Sequence, residues 1–286
     1  MAPLTPVLET RLELPTQSVF YRLYRPHAPS GRRLLLLHGG GVAGALTWEG
    51  ILPHLRHWPE IVVPDLRGSG DTYYPDGLDH PFEAEDVVDD LAALRQHLGW
   101  HAFDLGGYSY GGLIAMLLKT RLGADVEKTY LFEPALLGRI KQEDGMASRE
   151  RMLLAAHLLR QETQAGLDVF LDVVAPGRTR GSKNEALVRS RLSQRPAGLA
   201  YAVECVSHAG AGIDRDELVA RQADVSSFIG GRSSPELDRL CRRIAAGRSD
   251  WSCHLIAGAD HALPFQKPEQ IGRIMNEEME RYLTRT

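Results

Sequence analysis

Ser109 and the glycines around it are the residues of this chain best suited to chemistry. Residues 107–112 read GYSYGG and lie between an apolar run ending near Leu105 and an apolar helical pattern over 113–118. A strand that turns sharply into a helix exposes its middle residue in strained backbone angles, and only small residues fit on either side. The pattern therefore predicts a nucleophilic serine at a strand-to-helix turn. Taken alone, the motif also fits a glycine-rich turn that contains a serine by chance.

A serine nucleophile needs a base, and His261 is the best candidate among the eleven histidines. An unperturbed imidazole has a pKa of about 6.5, so it can accept and return a proton at neutral pH. His261 follows the last predicted strand and precedes the terminal helix, in the segment GADH at 258–261. That position favours a catalytic role over the surface or structural role expected of a histidine chosen at random.

Two backbone N–H groups are candidate donors to an oxyanion. Gly40 lies in the segment HGGG at 38–41, directly after the apolar run 33–37, so no side chain would block its N–H group. Tyr110 follows the serine at the predicted helix N-terminus, where backbone N–H groups lack helical partners. We therefore predict an oxyanion hole formed by Gly40 and Tyr110. A flexible turn is the alternative for the glycines, and a phosphate-binding loop is disfavoured because no Gly-Lys-Ser/Thr follows.

Alternating strand and helix patterns indicate how these residues are brought together. Continuous apolar runs, typical of strands buried on both faces, occur at 33–37 and 61–64, and further strands are predicted at 102–105, 129–132, 225–229 and 252–256. An early strand is predicted over 17–25, and helices over 82–98, from the serine turn to 121, and over 268–283. This alternation predicts an α/β fold with a mostly parallel sheet and catalytic groups at the carboxyl ends of the strands. Residues 135–221 show irregular helical patterns and predict a long helical insertion.

Together these motifs resemble those of the α/β-hydrolase superfamily with a helical cap. The resemblance covers essentially the whole chain, through HGGG at 38–41, DLRGSG at 65–70, GYSYGG at 107–112 and GADH at 258–261. It implies a core formed by residues 1–134 and 223–286 and a helical cap formed by 135–222. It also implies that Ser109 and His261 share a catalytic triad with an acidic residue.

The acidic residue departs from the usual pattern of this superfamily. Most relatives carry an aspartate in a Gly-x-x-Asp arrangement after the strand that follows the cap, whereas residues 231–235 read GRSSP here. Glu133 stands at the end of the preceding predicted strand. Certain haloalkane dehalogenases and the fungal lactonase that opens zearalenone carry a catalytic glutamate at this strand end, and the segments here are similar to that lactonase pattern. We therefore predict Glu133 as the acid, with Glu236 or Asp238 as alternatives.

Composition excludes several classes of partner. The 286 residues include 33 Lys and Arg against 37 Asp and Glu, and the net charge of −4 does not favour nucleic acid or an anionic membrane surface. No apolar run approaches the roughly 18 residues of a membrane helix, and the first residues lack the pattern of a secretory signal. The cysteines at 205, 241 and 253 match neither a zinc site nor a disulfide framework. We expect a cytoplasmic protein; its oligomeric state stays open, with a homodimer as one option.

Serine attack implies an acyl-enzyme, and no metal or organic cofactor is needed for it. A dehalogenase is disfavoured because those relatives use aspartate as nucleophile. The expected substrate is an ester or lactone of a medium-sized, largely apolar small molecule. A carbon–carbon bond hydrolase and a thioesterase are enzymatic alternatives. A small-molecule receptor on a hydrolase scaffold is the alternative outside catalysis, although it would not need the serine, the histidine or the backbone donors.

Overall fold

The computed structural model describes residues 3–26, 28, 31–135 and 142–285. In that part of the chain, one sheet of eight strands is flanked by helices. The strands are β1 (Leu8–Glu13), β2 (Ser18–Tyr24), β3 (Arg33–Leu37), β4 (Glu60–Pro64), β5 (Phe103–Tyr108), β6 (Val126–Phe132), β7 (Val225–Gly230) and β8 (Trp251–Ile256). The helices are α1 (Gly44–Trp48), α2 (Ala84–His97), α3 (Tyr110–Leu122), α4 (Gln142–Gln161), α5 (Thr163–Val174), α6 (Lys183–Leu192), α7 (Pro196–Gly212), α8 (Arg215–Ala220), α9 (Pro235–Gly247), α10 (Leu263–Gln266) and α11 (Pro268–Leu283).

The strands lie in the order β1-β2-β4-β3-β5-β6-β7-β8. β2 runs antiparallel to both of its neighbours, and the strand pairs from β4 to β8 are parallel. The prediction of an α/β fold with a mostly parallel sheet is therefore confirmed. β3 and β5 are neighbours in the sheet but not in the chain, so the strand order reverses between them. In open α/β sheets the ligand crevice lies at such a reversal, at the carboxyl ends of the strands.

Side chains of β3 alternate between two cores, one on each face of the sheet. Leu35 and Leu37 pack with residues of α2, α3 and α9, whereas Leu34 and Leu36 pack with α1 and α11. Successive side chains of a strand point to opposite faces, so a strand covered on both faces needs an unbroken apolar run. The run at 33–37 therefore anchors the glycine loop that follows it.

Two strand boundaries differ from the sequence-based prediction. No strand is predicted before residue 17, yet β1 forms an edge of the sheet, where its mostly exposed side chains give no apolar run. β5 extends to Tyr108 instead of ending near Leu105, because Gly106 and Gly107 continue the pairing with β6. The serine turn therefore follows β5 directly.

Helices α4 to α8 lie between β6 and β7, and we call them the helical insertion. Residues of α4, α5 and α7 form a third buried apolar cluster. The insertion approaches the core closely at Gly198, where a Cβ atom would lie 2.2 Å from the carbonyl oxygen of Gly68. Arg195 also donates to the carbonyl groups of Gly70 at 2.9 Å and Thr72 at 2.8 Å. These contacts fix the start of α7 against the loop after β4.

The division into a core (1–134 and 223–286) and a cap (135–222) stays a prediction. Its first boundary adjoins residues 136–141, which lie outside the described part of the chain. Across the described ranges, no helix combines the length and the apolar character needed to cross a membrane.

Candidate functional site

The turn between β5 and α3 holds Ser109 in a strained backbone conformation. Its φ of 52° and ψ of −114° are unusual for a residue with a side chain. The Ser109 N–H group donates to the Phe132 carbonyl at 3.0 Å, and the Ser109 carbonyl accepts from Gly112 at 3.0 Å and Ala135 at 2.9 Å. Strain of this kind persists only where the surrounding structure holds it, and it clusters at functional sites. Ser109 thus lies at the strand-to-helix turn that the sequence predicts.

Close packing explains the glycines that flank the serine. A Cβ atom at Gly111 would lie 2.3 Å from the His38 carbonyl oxygen, and one at Gly107 would lie 2.4 Å from the Gly111 carbonyl oxygen. Any larger residue would push the turn away from β3. The Gly111 N–H group also donates to the His38 carbonyl at 3.1 Å, which ties the serine turn to the glycine loop after β3.

Ser109, His261 and Glu133 form one chain of hydrogen bonds. The Nε2 atom of His261 is 3.0 Å from Ser109 Oγ, and its Nδ1 atom is 2.7 Å from Glu133 Oε2. His261 lies in the loop after β8, and Glu133 follows β6. Because a carboxylate accepts hydrogen bonds, Nδ1 carries the proton and Nε2 is left to accept the serine hydroxyl. The structure brings together the three side chains that the sequence singles out.

Glu133 is held firmly beside the imidazole. Its side chain is buried, and its φ of 41° is in the left-handed region. The Oε1 atom accepts from the Gly230 N–H group at 2.7 Å, and the Glu133 N–H group donates to the Phe228 carbonyl at 3.1 Å. Both carboxylate oxygens are therefore engaged, one by the backbone of β7 and the other by His261.

The alternative acids, Glu236 and Asp238, lie on α9 and are paired there. Glu236 is exposed and accepts from Ser234, which caps α9, and from Arg239 within the helix. Asp238 accepts from Arg242 at 2.9 Å. Among the described residues, neither carboxylate is a hydrogen-bond partner of His261. The structure does not bring them into the hydrogen-bond chain.

The predicted oxyanion donors, Gly40 and Tyr110, line the same cavity as Ser109. In the described part of the chain, neither of their N–H groups donates to a protein acceptor. His38 joins the glycine loop to the loop after β4, because its Nε2 atom accepts from the Leu66 N–H group at 2.7 Å. Burial lowers the pKa of the His38 imidazole, so His38 stays neutral and keeps this acceptor.

Tyr108 is a site residue that the sequence analysis does not assign. Its hydroxyl donates to the backbone carbonyl of His261 at 2.9 Å, and its ring lies 5.2 Å from the imidazole between centroids. Burial raises the pKa of the Tyr108 hydroxyl well above its usual range, so it remains a neutral donor. The one local indication that Tyr108 belongs to the site is its position next to Ser109. Its contact with His261, 153 positions away, is decided by tertiary packing.

Tyr108→Phe is expected to lower the free energy of unfolding by about 1 kcal/mol, because it leaves the His261 carbonyl without its donor. Urea denaturation of both proteins measures this difference. Tyr201→Phe is the matched control, since no acceptor bonds the Tyr201 hydroxyl within the described residues and that variant should unfold like wild type. Equal unfolding free energies for the two variants would contradict a holding role for Tyr108.

Two cavities meet at Ser109 and His261. The first, of about 210 Å³, is lined by apolar residues of the helical insertion together with residues of the core that include Arg232 and Asp260, and we call it the apolar cavity. The second, of about 320 Å³, is bounded by α6 and the segment after His261 and contains several charged side chains; we call it the polar cavity. Gly40 also lines both cavities. A bound molecule could therefore extend from the serine into either cavity.

In the parts of the chain that the structure describes, no cluster of three or more His, Cys, Asp or Glu side chains is arranged to hold a metal ion. Cys205 and Cys241 are buried free thiols, and Cys253 is half-buried. Burial raises the pKa of the Cys205 thiol, which keeps it protonated and unreactive. That no metal or organic cofactor is needed stays a prediction.

A model of the alpha/beta hydrolase family matches residues 34–273. A 124-residue segment is 30% identical to the soluble epoxide hydrolase of Corynebacterium sp. (strain C12) and covers 43% of this chain and 42% of that protein. A 104-residue segment is 29% identical to the 2-hydroxy-6-oxo-2,4-heptadienoate hydrolase of Pseudomonas putida and covers 36% of this chain and 37% of that protein. The solved structure of a thermophilic esterase from Thermogutta terrifontis is 21% identical, with a TM-score of 0.73 over 97% of this chain and 99% of that chain.

The matched segments span about two fifths of the length of these two curated relatives. The likeness to the esterase, at 21% identity, shows the fold alone. The family model extends from β3 into α11 and so includes Ser109, Glu133 and His261. The chain therefore belongs to the alpha/beta hydrolase family.

Proposed function

We propose that the protein hydrolyses a carboxylic ester or lactone of a medium-sized, largely apolar small molecule through an acyl-enzyme. The observation that carries this proposal is the chain of hydrogen bonds from Ser109 through His261 to Glu133, at 3.0 and 2.7 Å. In this arrangement Ser109 is the nucleophile and His261 the general base and then the general acid. Glu133 orients the imidazole and stabilises its cationic form.

The first half of the reaction forms the acyl-enzyme. Ser109 Oγ adds to the carbonyl carbon of the substrate while His261 Nε2 takes the hydroxyl proton. The carbonyl oxygen becomes an oxyanion that accepts from the N–H groups of Gly40 and Tyr110, and each such donor contributes about 3 to 4 kcal/mol. The imidazolium then protonates the leaving alcohol as the carbon–oxygen bond breaks.

The second half releases the acid and restores the serine. His261 Nε2 takes a proton from a water molecule, which attacks the acyl carbon of the Ser109 ester. The same two N–H groups stabilise the second oxyanion. When it collapses, the proton on His261 returns to Ser109 Oγ and the carboxylic acid leaves.

The type of nucleophile argues against epoxide opening, although one relative is named for it. Attack of Ser109 on an epoxide carbon would leave an ether on the enzyme, and an ether has no carbonyl for water to attack. An acyl-serine does have one, so a single oxyanion site serves both steps. The chemistry of the residue therefore favours acyl transfer.

The apolar cavity supports a largely apolar acyl group. Phe170 and Val174 of α5 and Leu199 and Val203 of α7 line it beside Ser109 and the two oxyanion donors. Burial of apolar surface contributes roughly 25 cal/mol per Å² to binding, before the costs of association. An acyl group that fills about 210 Å³ is small to medium in size.

A panel of 4-nitrophenyl esters with acyl chains from acetate to laurate, together with simple lactones, tests the proposal on the wild-type protein. We expect hydrolysis with an optimum at intermediate acyl length, because longer chains exceed the apolar cavity. A fluorophosphonate should label Ser109 once per chain, as measured by mass spectrometry of peptides. Folded protein that neither hydrolyses any member nor reacts with the phosphonate would overturn the proposal.

A carbon–carbon bond hydrolase is the second candidate, since one relative is named for such a reaction. The nucleophile, base and oxyanion donors would be the same, and the leaving group would be a stabilised carbanion rather than an alcohol. Adding a vinylogous 1,5-diketone acid to the panel separates the two candidates. Turnover of the diketone without ester hydrolysis would favour the second, and tight binding without any turnover would favour a receptor.

A further inference from the structure

The polar cavity contains more cationic than anionic side chains. Arg178, Arg191 and Arg232 line it, against the carboxylates of Glu185 and Asp260, and Arg232 and Asp260 border the apolar cavity as well. An excess of guanidinium groups in a partly closed space attracts anions, because little water is present there to screen the positive charges. Whether the charge is available depends on the partners of each arginine.

Arg178 is already neutralised within the helical insertion. Its Nε atom donates to Glu185 at 2.8 Å, and its Nη2 atom donates to Asp172 at 2.5 Å. A third hydrogen bond, at 3.3 Å, goes to the carbonyl of Ala175. Arg178 therefore joins the end of α5 to α6 and offers no free charge to a ligand.

Arg191 of α6 retains unused donors. Its Nη2 atom donates to Glu49 at 3.1 Å, and Glu49 is largely exposed. Its guanidinium lies over the Phe265 ring at 5.3 Å from the centroid, which holds the guanidinium plane in place. Within the described residues, no acceptor bonds its Nε or Nη1 atoms. Such an oriented, partly unpaired guanidinium suits a carboxylate.

Arg232 of the loop after β7 is also incompletely paired. Its Nη2 atom is 3.6 Å from Asp260 Oδ2, longer than a hydrogen bond, and the side chain is 47% exposed. The other oxygen of Asp260 already accepts from Ala262 N–H and from Gln266, both at 2.9 Å. Asp260 therefore reduces the field of Arg232 without using its donors.

The segment that follows His261 associates the polar cavity with the leaving group. This cavity is lined by Ala262, Phe265 and Gln266, which follow the general acid His261, whereas Tyr110, one of the two oxyanion donors, lines only the apolar cavity. A leaving alcohol must remain next to the imidazole that protonates it. The acyl group then occupies the apolar cavity, and the alcohol extends toward Arg191 and Arg232.

We propose that the leaving alcohol of the natural substrate carries a carboxylate that Arg191 and Arg232 bind from opposite sides, one from the helical insertion and one from the core. The inference rests on the proposed ester hydrolysis and adds a substrate class to it. Phe265 lines the same cavity and contributes apolar surface against which an aromatic alcohol can pack. Esters of hydroxylated aromatic acids have these features together.

The test compares two butyrate esters that differ in charge alone, one of 3-hydroxybenzoate and one of 3-hydroxybenzamide. Wild-type kcat/KM should be greater for the carboxylate, and Arg191→Gln and Arg232→Gln should each lower the ratio of the two values by roughly 10- to 100-fold, mainly through KM. Arg191→Lys should recover part of the ratio because it keeps the charge. Arg189→Gln, on the same helix but paired with Asp168 and outside the cavity lining, is the control whose ratio should equal that of wild type.

The outcomes separate this inference from the proposed function. Hydrolysis of both esters at similar rates, with a ratio unchanged in Arg191→Gln and Arg232→Gln, would overturn the carboxylate site and leave ester hydrolysis intact. Hydrolysis of neither ester, with no phosphonate labelling of Ser109, would overturn the proposed function itself. A ratio that falls equally in Arg189→Gln would show a general charge effect and would also count against the site.

Discussion

Ser109→Ala is expected to lower kcat for ester hydrolysis by roughly 10⁴- to 10⁶-fold, because it removes the atom that forms the acyl-enzyme. Without the hydroxyl, the remaining donors at Gly40 and Tyr110 can only assist attack by water. Rates measured on the best ester of the panel, together with loss of fluorophosphonate labelling, check this result. The midpoint temperature of thermal unfolding should be unchanged or slightly raised, since the strained turn needs no serine hydroxyl.

Ser249→Ala is the matched control for that substitution. Ser249 is exposed, lies just before β8 and lines neither cavity, so its variant should retain wild-type kcat and labelling. A Ser109→Ala protein that keeps more than a few per cent of the wild-type rate would require another nucleophile and would overturn the acyl-enzyme mechanism.

Glu133→Gln is expected to lower kcat by roughly 10⁴-fold while the protein remains folded. The amide carbonyl can still accept from the Gly230 N–H group, and the amide nitrogen then faces His261 Nδ1. A donor at that position requires Nδ1 to accept and moves the imidazole proton to Nε2, where it blocks the base. The neutral amide also removes the charge that stabilises the imidazolium.

Glu236→Gln and Asp238→Asn are the controls for Glu133→Gln, since they carry the same chemical change at the two alternative acids. Both side chains are paired with arginines of α9, so both variants should keep nearly wild-type kcat. A wild-type rate in Glu133→Gln, combined with a large loss in either control, would transfer the role of the acid to α9.

Much of the candidate site follows from local sequence. The glycines at 107 and 111 predict a tight turn because a side chain at either position would collide with neighbouring backbone, and the structure has such a turn. The unbroken apolar runs predict strands buried on both faces, and β3 supplies side chains to two cores. Both patterns can be recognised from a few consecutive residues, although the contacts that require them, such as that of Gly111 with the His38 carbonyl, form only in the fold.

Other features depend on which strand ends meet. Nothing local distinguishes Glu133 from Glu236 or Asp238 as the partner of a histidine more than 20 residues away; the pairing of β6 with β7 and of β7 with β8 decides it. The sequence analysis did not predict β1, because an exposed edge strand needs no apolar run. The contact of Tyr108 with the His261 carbonyl likewise arises only when β5 lies beside the loop after β8.

By itself, the sequence determined the α/β class and the serine turn, since backbone sterics and hydrophobic periodicity act over a few residues, and it predicted His261 as the base. Tertiary structure alone decided that Glu133 lies 2.7 Å from His261 and that two cavities meet at Ser109. Those arrangements depend on packing between segments that are distant in the chain, and one chain's residue order does not encode such distances in any local pattern.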